Sequence, residues 1–113
     1  MQLIVTDIDG TLCNKYLQPR PLVKLLRLAK SYDLVVVTHR PEERRAETVK
    51  WLAAQGLETL ALFMRPEGVH APAVARKMQL KKAMELGTVV LYLDDQYTLR
   101  AMGHAMGLDA AYI

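Results

Sequence analysis

Apolar and polar residues fall in blocks along the chain, and the blocks carry two different periods. Short apolar runs, Leu3-Ile4-Val5 leading into Thr6, Leu34-Val35-Val36-Val37, Thr59 to Met64 and Val89-Val90-Leu91-Tyr92-Leu93, have the length and β-branched content of buried strands. Between them, apolar residues recur at helical spacing. Leu22 to Ala29 predicts a first helix. A second is expected to begin near Pro41, since proline suits the first helical position and Glu42 and Glu43 favour the positive end of the helix dipole. Its core stripe would be Ala46, Val49, Leu52 and Ala53, and Gly56 would stop it. Pro66, Gly68 and Pro72 punctuate the next loop. A third helix carries Val74, Met78 and Met84 before Gly87, and a fourth carries Leu99, Met102 and Met106 before Gly107. The tail, Ala110-Ala111-Tyr112-Ile113, has the composition of an added edge strand.

Strand and helix alternate throughout, which predicts a parallel sheet with helices on both faces. The expected fold is a three-layer α/β/α, Rossmann-like sandwich whose mostly parallel central sheet has about five strands. The 113 residues suit one domain, spanning 1–113, with no internal repeat, low-complexity tract or linker. The single cysteine, Cys13, excludes an internal disulfide, and no Cys/His spacing of the zinc type occurs, so a reducing, cytoplasmic location is expected. No run approaches a membrane span and the amino terminus lacks a secretory pattern. A formal charge of +3, from 15 basic and 12 acidic residues, favours a polyanionic partner only weakly.

Chemistry concentrates where the apolar runs end. Asp7 and Asp9 follow the first strand, and Gly10 lets the chain turn sharply after them. Two acids side by side repel each other and add nothing to a core. A divalent cation and a phosphate would complete such a site, although Asp7 could also simply end a strand and Asp9-Gly10 form a turn. Thr38, His39 and Arg40 follow the second strand, and Asp94 and Asp95 the fourth. In open α/β sheets ligands bind outside the carboxyl ends of the strands, so three polar clusters converge on one edge.

With these residues the chain resembles the haloacid dehalogenase-like (HAD) phosphohydrolase superfamily. Asp7-Ile8-Asp9-Gly10-Thr11 matches its first motif, Thr38 its second and Asp94-Asp95 its fourth, each behind the required strand. The third motif, a lysine on the helix before the fourth strand, has three candidates: Lys77, nearest the helix start, then Lys81 and Lys82. The resemblance implies that Asp7 is the nucleophile and Asp9 the general acid and base. It implies Mg²⁺ held by Asp7, the main-chain carbonyl of Asp9, and Asp94, with Asp95 ligating or orienting. Gly10, Thr11, Thr38, His39 and the neighbouring N–H groups would bind phosphoryl oxygens, and Lys77 would balance charge. An acid at Asp9 suits a phosphatase better than a dehalogenase or a P-type ATPase.

Neither gap that carries a cap domain in that superfamily has room for one here, so the site is expected to be open and to suit large substrates. The chain is also similar to the 3′-phosphatase domain of bacteriophage-type polynucleotide kinase/phosphatase, through Thr38-His39-Arg40, the Trp51-bearing helix and Asp94-Asp95 followed by a helix and Met106-Gly107-Leu108. No kinase-type phosphate loop is present. The sequence departs from that pattern at Cys13-Asn14 and Gln18-Pro19-Arg20, and has no acid just ahead of Lys77. The resemblance implies hydrolysis of phosphorylated nucleic-acid ends. Alternatives are a small-molecule or nucleotide phosphatase, or a non-catalytic member binding phosphate or nucleic acid. Arg40 is expected to grip phosphate, and Arg20 to reach a nucleic-acid backbone or stay solvated. Arg44, Arg45, Arg76, Lys77, Lys81 and Lys82 are candidates for a basic rim or an exposed face. Trp51 and Tyr97 are expected to pack at helix edges rather than stack on bases.

Overall fold

The computed structural model describes residues 1–113. Five strands, β1 (Gln2–Thr6), β2 (Asp33–Val37), β3 (Ala61–Phe63), β4 (Thr88–Leu93) and β5 (Ala110–Ala111), alternate with helices α1 (Leu22–Leu28), α2 (Arg45–Ala54), α3 (Pro72–Leu86) and α4 (Tyr97–Ala105). The strands form one sheet in the order β3-β2-β1-β4-β5, parallel at every pairing. The tail joins the sheet as its edge strand.

The period of two sends alternate side chains to opposite layers. Ile4, Leu34 and Val36 pack with Leu22 and Val23 of α1 and Leu52 of α2, while Leu3, Val5, Val35 and Val37 pack with Leu80 and Ala83 of α3 and Met102 of α4. The result is the expected α/β/α sandwich. No helix is long and apolar enough to cross a membrane.

Two helices are rotated from their expected faces. A 3₁₀ turn, Glu42–Arg44, precedes α2, and the helix buries Thr48 and Leu52 while Ala46, Val49 and Ala53 face water. On α3 the residues Val74, Met78 and Met84 are exposed, and Ala75, Arg76, Gln79, Leu80 and Ala83 are buried. The inner face of α3 is small and polar because it lies against the ends of the strands. There the Gln79 carboxamide donates to the carbonyls of Thr38, Phe63 and Met64 at 2.8, 3.0 and 2.9 Å. Apolar counting cannot find such a face, since its polar groups are buried by being satisfied. The third strand is also shorter than its apolar run, which spans Thr59 to Met64.

Candidate active site

Strands β1 and β4 are neighbours in the centre of the sheet, and their carboxyl ends bring together acids from opposite ends of the sequence. The Asp7 N–H continues the pairing by donating to the Leu93 carbonyl at 2.9 Å. Carboxylate oxygens of Asp7, Asp94 and Asp95 lie within 4.8 Å of one another. Gly10, at φ +85°, allows this approach: a Cβ there would stand 2.2 Å from an Asp95 carboxylate oxygen. Thr11 bridges the two strand ends, its Oγ1 lying 3.3 Å from Asp7 Oδ2 as donor and accepting the Asp95 N–H at 3.0 Å.

The cation that meets these acids is Arg76. Its guanidinium is buried and donates through Nη2 to Asp7 Oδ1 at 3.1 Å and through Nη1 to Asp94 Oδ2 and, at 2.8 Å, to the Tyr92 hydroxyl. Gln79 Oε1 accepts from Nε at 3.1 Å and fixes the plane of the fork. Lys77, the sequence-based choice, is exposed on the next position of α3 and takes part in none of these contacts, and Lys81 and Lys82 are likewise exposed. One residue of helix rotates a side chain by roughly 100°, which is the whole difference between Arg76 and Lys77. The signal was present in Leu80 and Ala83: taken as core anchors, they put Arg76 four residues back on the buried face.

Three carboxyl groups face one guanidinium, so with all three ionised two negative charges would be uncompensated. Burial, above all, pushes the Asp7 carboxyl from 3.8 up to about 7, with Arg76 pulling it down and Asp94 and Asp95 pushing it further up. Burial works against the Arg76 charge, yet the surrounding Asp7, Tyr92 and Asp94 oxygens outweigh it and hold the guanidinium firmly protonated. Burial also raises Tyr92, whose hydroxyl donates to Asp94 Oδ2. Asp94 Oδ1 meanwhile accepts the Gln96 N–H at 2.9 Å and opens the turn into α4.

The Asp9 carboxylate stands outside the three-acid cluster. Arg40 Nε donates to its Oδ2 at 2.9 Å and Nη2 to its Oδ1 at 2.7 Å, a fork-to-fork pair, while Nη1 donates to Thr48 Oγ1 at 3.1 Å. The Arg40 side chain is buried and Asp9 is 55 % exposed, so the arginine acts as a fixed support and the acid as its accessible end. Hydrogen bonding from Arg40 holds the Asp9 carboxyl below its ordinary range. Every Arg40 side-chain nitrogen is thus engaged within the protein, by Asp9 or Thr48. Thr38 is fully buried, and its hydroxyl accepts the Arg40 N–H at 3.1 Å, shaping the turn after β2. His39 is half-buried beside that turn, and burial, with Arg65 nearby, holds its imidazole below the ordinary range.

Of the six candidates for a basic rim or an exposed face, Lys77, Lys81 and Lys82 are exposed and the three arginines are paired. Arg44 pairs with Glu47, Arg45 with Glu42, and Arg76 is inside the site. Arg20 ties the segment after β1 to the tail, donating to the carbonyl of Thr11 at 2.7 Å and the main-chain oxygen of Ile113 at 2.6 Å. Trp51 packs at the edge of its core layer and donates to the Leu17 carbonyl at 3.0 Å. Tyr97, expected to pack, is exposed. Cys13 is buried as a free thiol.

Searches against protein families and against curated proteins find no match to this sequence. The fold does have solved counterparts. Chains in two structures of the Pnkp1/Rnl/Hen1 complex, one of them described as an RNA repair complex, are 20% identical to this chain and superpose with TM-scores of 0.79 and 0.81. Each similarity covers 99% of this chain and 42% or 45% of the other. This chain therefore spans less than half the length of those neighbours, and at such identity the likeness establishes the fold alone.

Proposed function

We propose that residues 1–113 form a capless phosphatase core of the HAD type that hydrolyses phosphomonoesters through a phosphoryl group carried on Asp7, with phosphorylated nucleic-acid ends, including 3′ ends, as substrate. The observation that carries this reading is the cluster of Asp7, Asp94 and Asp95 oxygens within 4.8 Å, at the ends of two adjacent parallel strands. An all-oxygen donor set that, fully ionised, exceeds the Arg76 charge by two fits a hard divalent cation, and Mg²⁺ is the natural choice. Asp7, Asp94 and Asp95 would hold it, with the main-chain carbonyl of Asp9. When bound it lowers the cost of ionising Asp7 and offsets phosphate charge.

The remaining steps belong to the protein. Asp7 attacks phosphorus as a carboxylate. Arg76 takes the charge-balancing role assigned by motif to Lys77, and its two ion pairs keep Asp7 and Asp94 in register. Gly10, Thr11, Thr38 and the main chain from His39 to Arg40 line the place of the phosphoryl oxygens. Asp9, held by Arg40, is the acid and base. Its paired, ionised form suits activation of water in the second step. Protonating the leaving group first requires Asp9 to take up a proton, which an incoming phosphate dianion favours by raising its pKa.

Openness supports a large substrate. A depression of about 760 Å³ lies beside the site along Pro41, Phe63, Arg65 and Gln79 and does not enclose the acids. The naming of a fold neighbour as an RNA repair complex points the same way. The test is Mg²⁺-dependent phosphate release from a chromogenic ester, from a 3′-phosphorylated oligonucleotide, and from nucleotides and sugar phosphates. Preference for the oligonucleotide is expected. Preference for free metabolites would remove the nucleic-acid assignment, and no turnover of any ester with metal would leave a phosphate-binding protein.

A further inference from the structure

We propose that Tyr97 and Tyr112, linked by Arg20 and Arg100, form a platform on which single-stranded nucleic acid lies as its phosphorylated end enters the acid cluster. The proposal names the substrate surface of the site described above and rests on that reading. Both arginines are built into the strand ends that carry the acids. Arg100 Nη1 donates to the Asp94 carbonyl at 3.0 Å, and Arg20 Nη1 to the Thr11 carbonyl at 2.7 Å. Neither meets a side-chain carboxylate, whereas Arg40, Arg44 and Arg45 are each paired with one and Arg76 with two. Arg100 thus keeps a guanidinium charge with no carboxylate beside it, and Arg20, which also donates to the main-chain oxygen of Ile113 at 2.6 Å, fixes the tail that carries Tyr112.

Exposed rings connect them. The guanidinium carbons of Arg20 and Arg100 lie 4.7 and 5.9 Å from the Tyr112 ring centre, and that of Arg100 lies 6.0 Å from Tyr97. Tyr97 is 75 % and Tyr112 50 % exposed, so packing explains neither ring. Exposed π-faces alternating with fixed cations are complementary to a strand of bases on an anionic backbone. The platform adjoins the acids at Asp94 and Thr11, so a strand stacked on it would reach the site without crossing the sheet.

The test is fluorescence anisotropy of a labelled, phosphate-terminated, short single-stranded oligonucleotide with the metal-free chain, where binding is read without turnover. Tyr97→Ala and Tyr112→Ala should each weaken binding about tenfold, and Tyr97→Phe and Tyr112→Phe should restore it, since stacking needs the ring and not the hydroxyl. Arg100→Gln should reduce the slope of log affinity against log salt by about one. Tyr32→Ala, ahead of β2 at the amino-terminal ends of the strands, should leave affinity unchanged. Unchanged affinity in both alanine variants would overturn the platform even if esters are hydrolysed. Ring-dependent binding in a chain that hydrolyses nothing would uphold it while removing the phosphatase reading. A wild-type dimer that Tyr97→Ala converts to monomer, with oligonucleotide affinity unchanged, would assign the face to a second copy and overturn the proposal.

Discussion

Replacing Asp7 by asparagine tests the electrostatics of the site apart from its chemistry. In the metal-free protein the Asp7 carboxyl is raised from 3.8 to about 7, chiefly by burial. A carboxyl with a folded-state pKa above its unfolded value stabilises least when ionised. Below pH 4 both states hold the proton and nothing is lost. Between about pH 4 and pH 7 the unfolded chain releases it while the folded chain keeps it, so stability falls as pH rises, and above pH 7 the loss is constant. A gap of roughly three pKa units corresponds to a loss on the order of 4 kcal/mol. The carboxamide that replaces the acid does not titrate and escapes this loss. In urea melts with a chelator, the stability of Asp7→Asn relative to wild type should therefore rise by about that amount between pH 3.5 and pH 8. Excess Mg²⁺ at pH 8 should then restore the wild type much more than the variant, because binding to the folded state adds RT ln(1 + [L]/Kd). A pH-independent difference, or equal stabilisation of both proteins by Mg²⁺, would refute the reasoning.

The contacts of Arg76 predict that Arg76→Ala lowers kcat of ester hydrolysis by about 100-fold or more, while Lys77→Ala stays within about twofold; steady-state kinetics on both variants decide between the two positions. Arg40→Ala leaves Asp9 without its fork-to-fork partner and should cost about 10²-fold in kcat with a smaller change in KM, because the acid and base is misplaced rather than substrate binding lost. In Gly10→Ala the new Cβ meets the Asp95 carboxylate and the residue must hold φ +85°, so chemical denaturation should show a loss of about 1–3 kcal/mol and titration should show weaker Mg²⁺ binding.

The sheet was legible because its strands are buried on both faces and read as continuous apolar runs, and because alternation with helices leaves few topologies. The convergence of Asp7, Thr38 and Asp94 followed from strand ends alone. Helix rotation was harder to read where the buried face is partly polar, because on α3 the larger apolar residues Val74, Met78 and Met84 outweigh the markers Leu80 and Ala83. Arg76, Gln79 and Thr48 look like surface residues in sequence, and only their partners in space, Asp7, the Thr38 carbonyl and Arg40, make burial favourable. The pairing of Arg40 was equally invisible: a guanidinium beside a phosphate motif reads as a substrate ligand, and nothing in the sequence marks Asp9, 31 residues away, as its partner.

The central claim is that Asp7 accepts the phosphoryl group, and trapping that adduct tests it most directly. The wild-type chain would be quenched during Mg²⁺-dependent turnover, reduced with borohydride and analysed by peptide mass spectrometry. The account predicts conversion of Asp7, and of no other carboxylate, to homoserine, with none in a reaction lacking the ester. Turnover accompanied by modification of another acid, or of none, would contradict it.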